Sequence, residues 1–293
     1  MMDIPRFAEW REIALTDKPV FDAAFAARPP ELSAYTFTNM YAWREARVLR
    51  LSDLDGRLLV WREADGRITS FEPIGDDPAG AIAGAIDSGI EFTRAHADTA
   101  DRLRDLPGLR IESDRDNSDY LYLASDLIEL PGRDFDAKRN FVHRFKSERD
   151  YEYVVMTQET ADQCREFADI WCEERSCETV EGLRKERRAM HEMLVSFGAL
   201  GLRGGAIRVD GAVVAFSLGE ALNPETLVVH VEKADSRLDG LYQLINNEFC
   251  VYEARDFTYV NREQDLGVPG LRKAKESYHP VRMVEAWRVS VEN

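Results

Sequence analysis

The sequence predicts a mixed α/β protein that is built from two successive rounds of helices and strands. The 293 residues suffice for two domains of ordinary size. Helical and strand-like spacings of apolar residues alternate along both halves of the chain. Asp-Gly pairs separate neighbouring strands in each half, and such pairs are typical of hairpin turns. We therefore expect mixed, largely antiparallel sheets with helices packed on both faces.

The first round is expected to form a domain over residues 1–132. Proline, glycine and aspartate mark the ends of its segments, and Ser33 is a candidate cap for its second helix. The predicted helices are Asp17–Ala27, Glu31–Trp43, Ala79–Gly89 and Asp98–Leu106. The predicted strands are Arg47–Leu51, Arg57–Trp61, Ile68–Pro73, Ile90–Thr93, Ile111–Ser113 and Asp119–Ala124.

The second round follows Leu130-Pro131-Gly132 and is expected to form a domain over residues 133–293. It opens with a charged helix and two amphipathic ones before its first hairpin. The predicted helices are Phe135–Asp150, Thr160–Ser176, Arg184–Phe197, Gly240–Ala254 and Pro269–Glu276. The predicted strands are Tyr151–Met156, Gly204–Val209, Val213–Ala221, Thr226–Glu232, Tyr259–Asn261 and Val281–Val291.

Charge and composition exclude several classes of function. The formal net charge is -16, and such a field disfavours broad binding to DNA or to an anionic bilayer. No apolar run approaches a membrane span, which predicts no membrane insertion. The N-terminus lacks the pattern of a secretory signal, so we expect a cytoplasmic protein. The four cysteines lack the spacing of metal ligands, which predicts no metal site.

The segment Asn261–Pro280 is the most informative part of the chain. Acidic residues meet a Gly-Val-Pro-Gly turn, and a basic run, a tyrosine and a proline follow. Neither a core strand nor a solvated helix needs this mixture. Carboxylates and cations held in a fixed geometry would suit the floor of a small-molecule site. A solvated basic helix face is the alternative interpretation.

Four blocks of sequence carry a family resemblance. They are Tyr35–Arg44, Lys138–Asn140 with Phe145-Lys146, His230–Ala234 and Asn261–Pro280. Together they resemble an uncharacterised bacterial family related to the C-terminal domain of phosphatidylglycerol lysyltransferases. The element order of the second half also resembles the GNAT acyltransferase fold. The resemblance implies a tandem pair of GNAT-like domains, related to the Fem-type aminoacyltransferases.

In a GNAT domain, the pyrophosphate of the donor lies on backbone N–H groups at a helix N-terminus. The matching segment here is Asp235–Tyr242. The resemblance therefore implies cofactor contacts from Arg237, Gly240, Leu241 and Tyr242. Acetyl-CoA enzymes usually have a second nearby glycine, and this chain has two flanking aspartates instead. That departure leaves open the alternative that Gly240 merely starts a helix.

The block His230-Val231-Glu232-Lys233 lies on a predicted strand, so His230 and Glu232 are expected to share one face. Glu232 is the candidate general base that takes a proton from an acceptor amine, and His230 is the second candidate for that role. Lys233 together with Asp265 would complete a polar cavity. A purely structural hydrogen-bond network is the alternative interpretation.

The resemblance also implies roles for the segment Asn261–Pro280. Its acidic members would bind a substrate ammonium, its cations would face a phosphate or an oxyanion, and its tyrosine would donate a proton to a leaving group. The catalytic candidates are Glu232, Asp265 and Tyr278. The candidates for substrate binding are His230, Lys233, Asn261, Glu263, Arg272, Lys273 and Lys275.

We therefore predict an N-acyltransferase or aminoacyltransferase for an amine or hydroxyl acceptor, which would enter a groove between the domains. The donor is acyl-CoA or aminoacyl-tRNA, and the sequence leaves that choice open. A non-catalytic sensor of a small molecule on the same fold is the second hypothesis, and an interaction module without a ligand is the third.

Overall fold

The structure, a computed structural model, describes residues 4–292. It divides into two compact units, each assembled from separate stretches of the chain. The first unit contains residues 1–119, 264–272 and 283–293. The second contains residues 120–263 and 273–282, so Leu130-Pro131-Gly132 lies inside it. The domain boundary after Gly132 stays a prediction, because packing into units does not test where the chain folds independently.

The elements follow one another in the order that the periodicities predict. The helices are α1 Lys18–Ala27, α2 Phe37–Arg47, α3 Pro78–Ala85, α4 Ala97–Leu103, α5 Ala124–Glu129, α6 Asp136–Glu148, α7 Gln158–Glu174, α8 Glu181–Val195, α9 Phe197–Leu200, α10 Leu241–Glu253 and α11 Pro269–Glu276. The strands are β1 Arg50–Leu54, β2 Arg57–Ala64, β3 Arg67–Phe71, β4 Ile90–Ala95, β5 Leu109–Ser113, β6 Asp119–Leu123, β7 Glu152–Val155, β8 Arg203–Val209, β9 Ala212–Asn223, β10 Thr226–Ala234, β11 Tyr259–Asn261, β12 Arg282–Val284 and β13 Trp287–Val291.

The sheet of the first unit has the strand order β1-β2-β3-β4-β13-β5. Only β3 and β4 run parallel among these neighbours in the described chain. Apolar side chains of β2 and β4 pack with α3, α4 and β13 in one buried cluster, which includes Trp61, Ile82 and Val289. The C-terminal strand therefore completes the core of the first unit.

The sheet of the second unit includes the run β6-β11-β10-β9-β8-β7, in which β10 and β11 are parallel. Helices cover both of its faces. Phe216 of β9 contacts Phe167 of α7, with ring centroids 6.2 Å apart. Gly219, which has the opposite parity on β9, faces Phe249 of α10. The predicted class of a mixed α/β chain with largely antiparallel sheets and helices on both faces is thus confirmed.

Many predicted elements have different bounds in the structure, and the second helix and the final strand differ most. The second helix begins at Phe37 because Thr36 caps it, accepting a hydrogen bond from the backbone N–H of Asn39. Ser33 does not cap that helix, and its hydroxyl donates to Asp119 instead. The predicted final strand is divided into β12 and β13, which are separated by Glu285 and Ala286. Within residues 4–292, no helix has both the length and the apolar character needed to cross a membrane.

Candidate active site

Strand β10 contains a β-bulge, and this bulge decides which of its side chains share a face. Apart from a separate register shift between Thr226 and Leu227, the pairing with β9 is regular up to Val229 and resumes at Val231, so His230 is the extra residue. One extra residue reverses the alternation of the side chains that follow. His230 and Glu232 consequently contact different neighbours on opposite faces of the sheet, and the prediction that they share a face is wrong.

A group of polar residues surrounds Glu232 on the face that α10 covers. We call Glu232, Asn246, Arg262, Tyr278 and Lys138 the Glu232 cluster. Arg262 donates from Nη2 to Oε1 of Glu232 over 3.1 Å, and Asn246 donates from Nδ2 to Oε2 over 3.0 Å. Both oxygens of the carboxylate are therefore used to hold a neighbouring side chain.

An aromatic ring and a second cation complete the Glu232 cluster. The ring of Tyr278 lies 4.7 Å from the guanidinium carbon of Arg262 and 4.4 Å from Nζ of Lys138. Lys138, on α6, also donates to the hydroxyl of Ser277 over 2.7 Å. Cations attracted to the ring fix its position, so the cluster is held by contacts from several elements.

The C-terminal end of α11 is fastened to the neighbouring strands. The hydroxyl of Tyr122 on β6 donates to the carbonyl oxygen of Lys275 over 2.8 Å. Nζ of Lys275 donates to the carbonyl oxygen of Arg262. Lys275 therefore holds the backbone beside the cluster, which differs from the predicted contact between its ammonium group and a phosphate.

Burial sets the charge states within the Glu232 cluster. Burial raises the pKa of Tyr278 well above its usual value, so the phenol stays protonated at neutral pH. Burial alone would lower the pKa of Arg262, but the charge of Glu232 outweighs this and raises it. Burial, followed by repulsion from Arg262, lowers the pKa of Lys138. The cluster thus combines one carboxylate, one neutral acid and two cations.

Two buried atoms of the Glu232 cluster have no hydrogen-bond partner among the described residues. They are Nη1 of Arg262 and Oδ1 of Asn246. The orientation of the Asn246 amide follows from chemistry, because only its NH₂ group can donate to the carboxylate of Glu232. A buried donor or acceptor without a partner costs about 1–3 kcal/mol. One donor and one acceptor are therefore left for a molecule that binds here.

His230 lies on the other face between two carboxylates. Nε2 is 2.9 Å from Glu220 of β9, and Nδ1 is 2.9 Å from Glu263, which follows β11. Burial would lower the pKa of the imidazole, but the hydrogen bonds that it donates to both carboxylates raise it to about 9. We call Glu220, His230 and Glu263 the His230 bridge, whose net charge at neutral pH is negative.

Asp265 belongs to the first unit and is enclosed by donors. Its side chain is 0% exposed and accepts hydrogen bonds from Arg115, Arg272 and the backbone N–H of Gly267. We call Asp265, Arg115, Arg272, Asp116 and Gly267 the Asp265 cluster, because Arg272 also pairs with Asp116. Two guanidinium groups and a backbone amide already occupy the carboxylate, so the predicted contact with a substrate ammonium has no support from this geometry.

Lys233 points to the face that α7 and α8 cover. Its Nζ donates to Glu186 over 2.7 Å and lies 4.1 Å from the ring of Trp171. The side chain is buried, and the nearby carboxylate and ring stabilise its charge. Lys233 and Asp265 fall in different units, and each has its own partners.

The residues that were predicted to contact a cofactor lie just before α10 and in its first turn. Gly240 adopts φ +85° and precedes the helix, and a Cβ there would lie 3.0 Å from the carbonyl oxygen of Phe141. This close approach alone requires glycine. Arg237 is 69% exposed and pairs with Asp235 and Glu174.

The other predicted residues of this segment have different surroundings. Leu241 is fully buried, Tyr242 is half-buried, and Asp239 pairs with Arg144. No side chain caps α10 within the described chain. A phosphate here would meet the carboxylates as well as the positive end of the helix dipole.

Of the remaining predicted residues, one holds the backbone from a buried position and one lies at the surface. Asn261 is buried and accepts a hydrogen bond from the backbone N–H of Glu263 over 2.8 Å. Lys273 is exposed on α11. The structure thus brings together Glu232 and Tyr278 in one cluster and His230, Glu263 and Asn261 on the opposite face of the same sheet, and it does not unite these with Asp265.

Arg262 is the central residue that sequence reasoning did not single out. It lies within the acidic part of Asn261–Pro280, where a lone arginine is easily assigned to the surface. A signal was available, because β11 is a predicted strand and the residue after it continues the side-chain alternation toward the interior. The role of Asn246 could not be predicted either. An asparagine within an apolar helix indicates a buried amide, but it does not indicate what that amide contacts.

Comparison with known proteins places the chain in a family. The model of the family described as "Phosphatidylglycerol lysyltransferase, C-terminal" matches residues 25–290, which confirms the predicted resemblance. A conserved protein of unknown function from Bacteroides thetaiotaomicron is 34% identical, with a TM-score of 0.89 over 99% of this chain and 100% of that one.

More distant structures show the fold alone. The protein called L-PGS from Bacillus licheniformis is 14% identical, with a TM-score of 0.66 over 94% of this chain and 92% of that one. FemX is 11% identical, with a TM-score of 0.59 over 97% of this chain and 98% of that one.

A curated relative covers only part of the chain. It is an uncharacterised protein of Mycoplasmoides gallisepticum that is 23% identical over 180 residues, or 60% of this chain. The match spans 56% of that relative's own length, so what the longer protein does is not carried over.

Proposed function

Because the chain belongs to the family of phosphatidylglycerol lysyltransferase C-terminal domains, we propose that it is an aminoacyltransferase whose reaction centre is the Glu232 cluster. The observation that carries the proposal is the pair of buried atoms without partners, Nη1 of Arg262 and Oδ1 of Asn246. The carbonyl oxygen of an aminoacyl ester can accept a hydrogen bond from Nη1 of Arg262. Its α-ammonium group can donate one to Oδ1 of Asn246. A simple acyl group would leave the amide oxygen unsatisfied.

The reaction we propose is the transfer of the aminoacyl group to an amine or hydroxyl acceptor. The acceptor atom forms a bond to the carbonyl carbon, and the ester C–O bond to the donor breaks. Arg262 would stabilise the oxyanion that develops on the carbonyl oxygen. Glu232 would take the proton from the acceptor, and Tyr278 would give its proton to the departing oxygen. The proton on Glu232 then restores Tyr278 through solvent.

The charge states of the cluster support these roles. Tyr278 remains a phenol at neutral pH because burial raises its pKa, and a general acid must hold its proton until the leaving group departs. Arg262 retains its charge, as an oxyanion donor requires. Lys138 and Arg262 add positive charge beside the ring, which favours an anionic transition state.

The surroundings of α10 favour aminoacyl-tRNA over acyl-CoA as the donor. Coenzyme A would place its pyrophosphate at the start of this helix, where Asp235 and Asp239 lie. Arg237 already pairs with Asp235 and Glu174, so it is not a dedicated phosphate ligand. The same feature also favours the second candidate function, a protein that binds an aminoacyl compound without turning it over.

The experiment is a transfer assay with a labelled donor. The protein is incubated with tRNA charged with a mixture of radiolabelled amino acids, and with phosphatidylglycerol micelles or a simple peptide amine as acceptor. We expect label to leave the tRNA faster than by spontaneous hydrolysis and to appear in the acceptor. Arg262→Lys should lower the rate of transfer about 10²- to 10³-fold, whereas the exposed Arg255→Lys serves as the matched control.

The controls separate transfer from binding. Acetyl-CoA with the same acceptors tests the other donor class, and turnover with it alone would contradict the aminoacyl assignment. Thermal stabilisation by an aminoacyl-adenosine amide without any transfer supports the binding protein instead. A ligand at 100 times its Kd adds about 2.7 kcal/mol of stability, which a melting experiment resolves readily.

A further inference from the structure

The His230 bridge joins consecutive strands of the second unit on the face opposite the Glu232 cluster. Glu220 belongs to β9, His230 to β10, and Glu263 follows β11. Both nitrogens of the ring are 2.9 Å from a carboxylate oxygen, and the side chain of His230 is 0% exposed. The proposed reaction uses none of these residues, although a fully buried charged group is costly unless it has a structural or functional task.

The chemistry of the bridge requires a group with two donors on opposite sides. An imidazolium donates from both Nδ1 and Nε2, whereas a neutral imidazole has one donor and one acceptor. Glutamine would place a carbonyl oxygen against one of the two carboxylates. Only the protonated ring therefore satisfies Glu220 and Glu263 at the same time.

The bridge is linked to the cluster on the other face through the backbone. Glu263 has a left-handed conformation, φ +57°, which is unfavourable for a residue other than glycine. Its N–H donates to the side chain of Asn261, and its carbonyl oxygen accepts from Tyr120 over 3.2 Å. The preceding residue, Arg262, has its N–H bonded to the carbonyl oxygen of Tyr120 over 3.0 Å.

Arg262 and Glu263 are adjacent in the chain, and their side chains bond to Glu232 and His230, which lie on opposite faces of the sheet. When the side chain of Glu263 is anchored on His230, the side chain of Arg262 is directed to the other face, toward Glu232. The bulge at His230 itself turns Glu232 to that face. One residue thus governs the direction of both charged partners in the cluster.

We propose that His230 is a positioning residue, which fixes Arg262 and Glu232 by bridging Glu220 and Glu263 across the sheet. Its effect on turnover rests on the proposed aminoacyltransferase function. Its effect on the geometry of Arg262 does not, and this difference allows the two ideas to fail separately.

The first measurement needs no activity. In ¹⁵N-labelled protein, the guanidinium N–H signal of Arg262 is identified by its loss in Arg262→Lys. We expect His230→Gln to shift this signal and to speed its hydrogen exchange by at least about 10-fold, because the side chain loses its anchor. The exposed His143→Gln is the matched control and should leave the signal unchanged. A folded His230→Gln protein with an unaltered Arg262 signal would overturn the proposal.

A second variant covers the case in which His230→Gln does not fold. Glu263→Asn keeps a residue that tolerates the left-handed conformation, but its side chain is too short to reach His230. We expect the same displacement of the Arg262 signal. An unchanged signal in this variant also contradicts the positioning role.

The second measurement uses the transfer assay. We expect His230→Gln to lower kcat roughly 10- to 100-fold with a smaller change in KM, since misplacement of reacting groups acts mainly on the chemical step. The wild type should also lose activity as pH rises through about 9, where His230 loses its proton. The charged groups that face His230 are Glu220 and Glu263.

The His230→Gln variant should lack the loss of activity near pH 9. If its pH profile of activity matched that of the wild type, the proposal would be contradicted. If the wild type transfers no aminoacyl group at all, the proposed function fails, and the Arg262 signal alone decides the positioning role.

Discussion

The two units each bury a carboxylate against arginine, but they satisfy these groups differently. In the Asp265 cluster, donors from Arg115, Arg272 and Gly267 fill the carboxylate. In the Glu232 cluster, each carboxylate oxygen accepts one hydrogen bond, and Nη1 of Arg262 and Oδ1 of Asn246 have no partner in the described chain. Breaking a satisfied buried pair destabilises a fold, whereas unsatisfied atoms around such a pair leave room for a water or a ligand.

Residues that are close in sequence belong to different clusters. Arg262 and Asp265 are three residues apart, and both come from the segment Asn261–Pro280 that the sequence marks as functional. One belongs to the second unit and the other to the first. A single motif can therefore supply a reactive cluster and a structural cluster, and the sequence pattern does not tell them apart.

The largest expected effect is on Arg262. Arg262→Lys should lower the rate of aminoacyl transfer about 10²- to 10³-fold, because a lysine cannot hold Glu232 and also donate to an oxyanion in a fixed geometry. The rate is measured in the transfer assay at saturating donor. A variant that unfolds would not test this point, so near-ultraviolet circular dichroism must first show native packing. Full activity in a folded Arg262→Lys protein would remove the central difference between the two clusters.

The next effect is on Asp265. Asp265→Asn should lower the free energy of unfolding by about 2–3 kcal/mol, somewhat below the ~3–5 kcal/mol for breaking a fully buried pair, because its arginine partners are partly exposed. Chemical denaturation measures this loss. The catalytic role predicted for Asp265 is tested in the same protein, since turnover per folded molecule should stay within a few-fold of the wild type. Loss of turnover without loss of stability would support the catalytic role instead.

Tyr278→Phe should have a smaller effect on turnover. The ring and its contacts with Lys138 and Arg262 remain, but the proton donor for the leaving group is lost. We expect a loss of roughly 10²-fold in kcat, at the lower end of the range for general acid catalysis. The melting temperature should barely change. The variant is also assayed with a donor whose leaving group needs no protonation. An equal loss of kcat with that donor would show that Tyr278 does not act as the proton donor.

The smallest effect concerns pH and stability. The pKa of His230 is raised in the folded protein to about 9, above the ordinary value of 6.5. The bridge therefore stabilises the folded state fully below about pH 6.5, and this contribution is lost as pH rises through about 9. The difference in unfolding free energy between the wild type and His230→Gln should be largest at pH 6 and should shrink toward pH 10. A constant difference across this range would mean that the imidazole is neutral in the bridge.

The fold could be predicted well because its signals are local. The turns Asp55-Gly56, Asp65-Gly66 and Asp210-Gly211 lie between paired antiparallel strands, as their composition predicts. The helix Pro269–Glu276 and the strand Tyr259–Asn261 have the predicted bounds. Periodicity and turn chemistry suffice for such elements.

The site could be predicted only in part because its geometry depends on pairing between distant strands. The bulge at His230 results from the register between β9 and β10, which the strand sequence alone does not reveal. The parallel pairing of β10 with β11 brings Arg262 near Glu232, and these residues lie 30 positions apart. Glu232 and Tyr278 were therefore found by resemblance, whereas their relation to Arg262 was not.

The most direct test of the central claim is a crystal structure with the lysyl amide of 3′-amino-3′-deoxyadenosine, a stable analogue of the end of a charged tRNA. We predict its carbonyl oxygen within hydrogen-bond distance of Nη1 of Arg262 and its α-ammonium group against Oδ1 of Asn246. An analogue bound elsewhere on the chain, with both of these atoms bonded only to water, would contradict the assignment of the Glu232 cluster as the reaction centre.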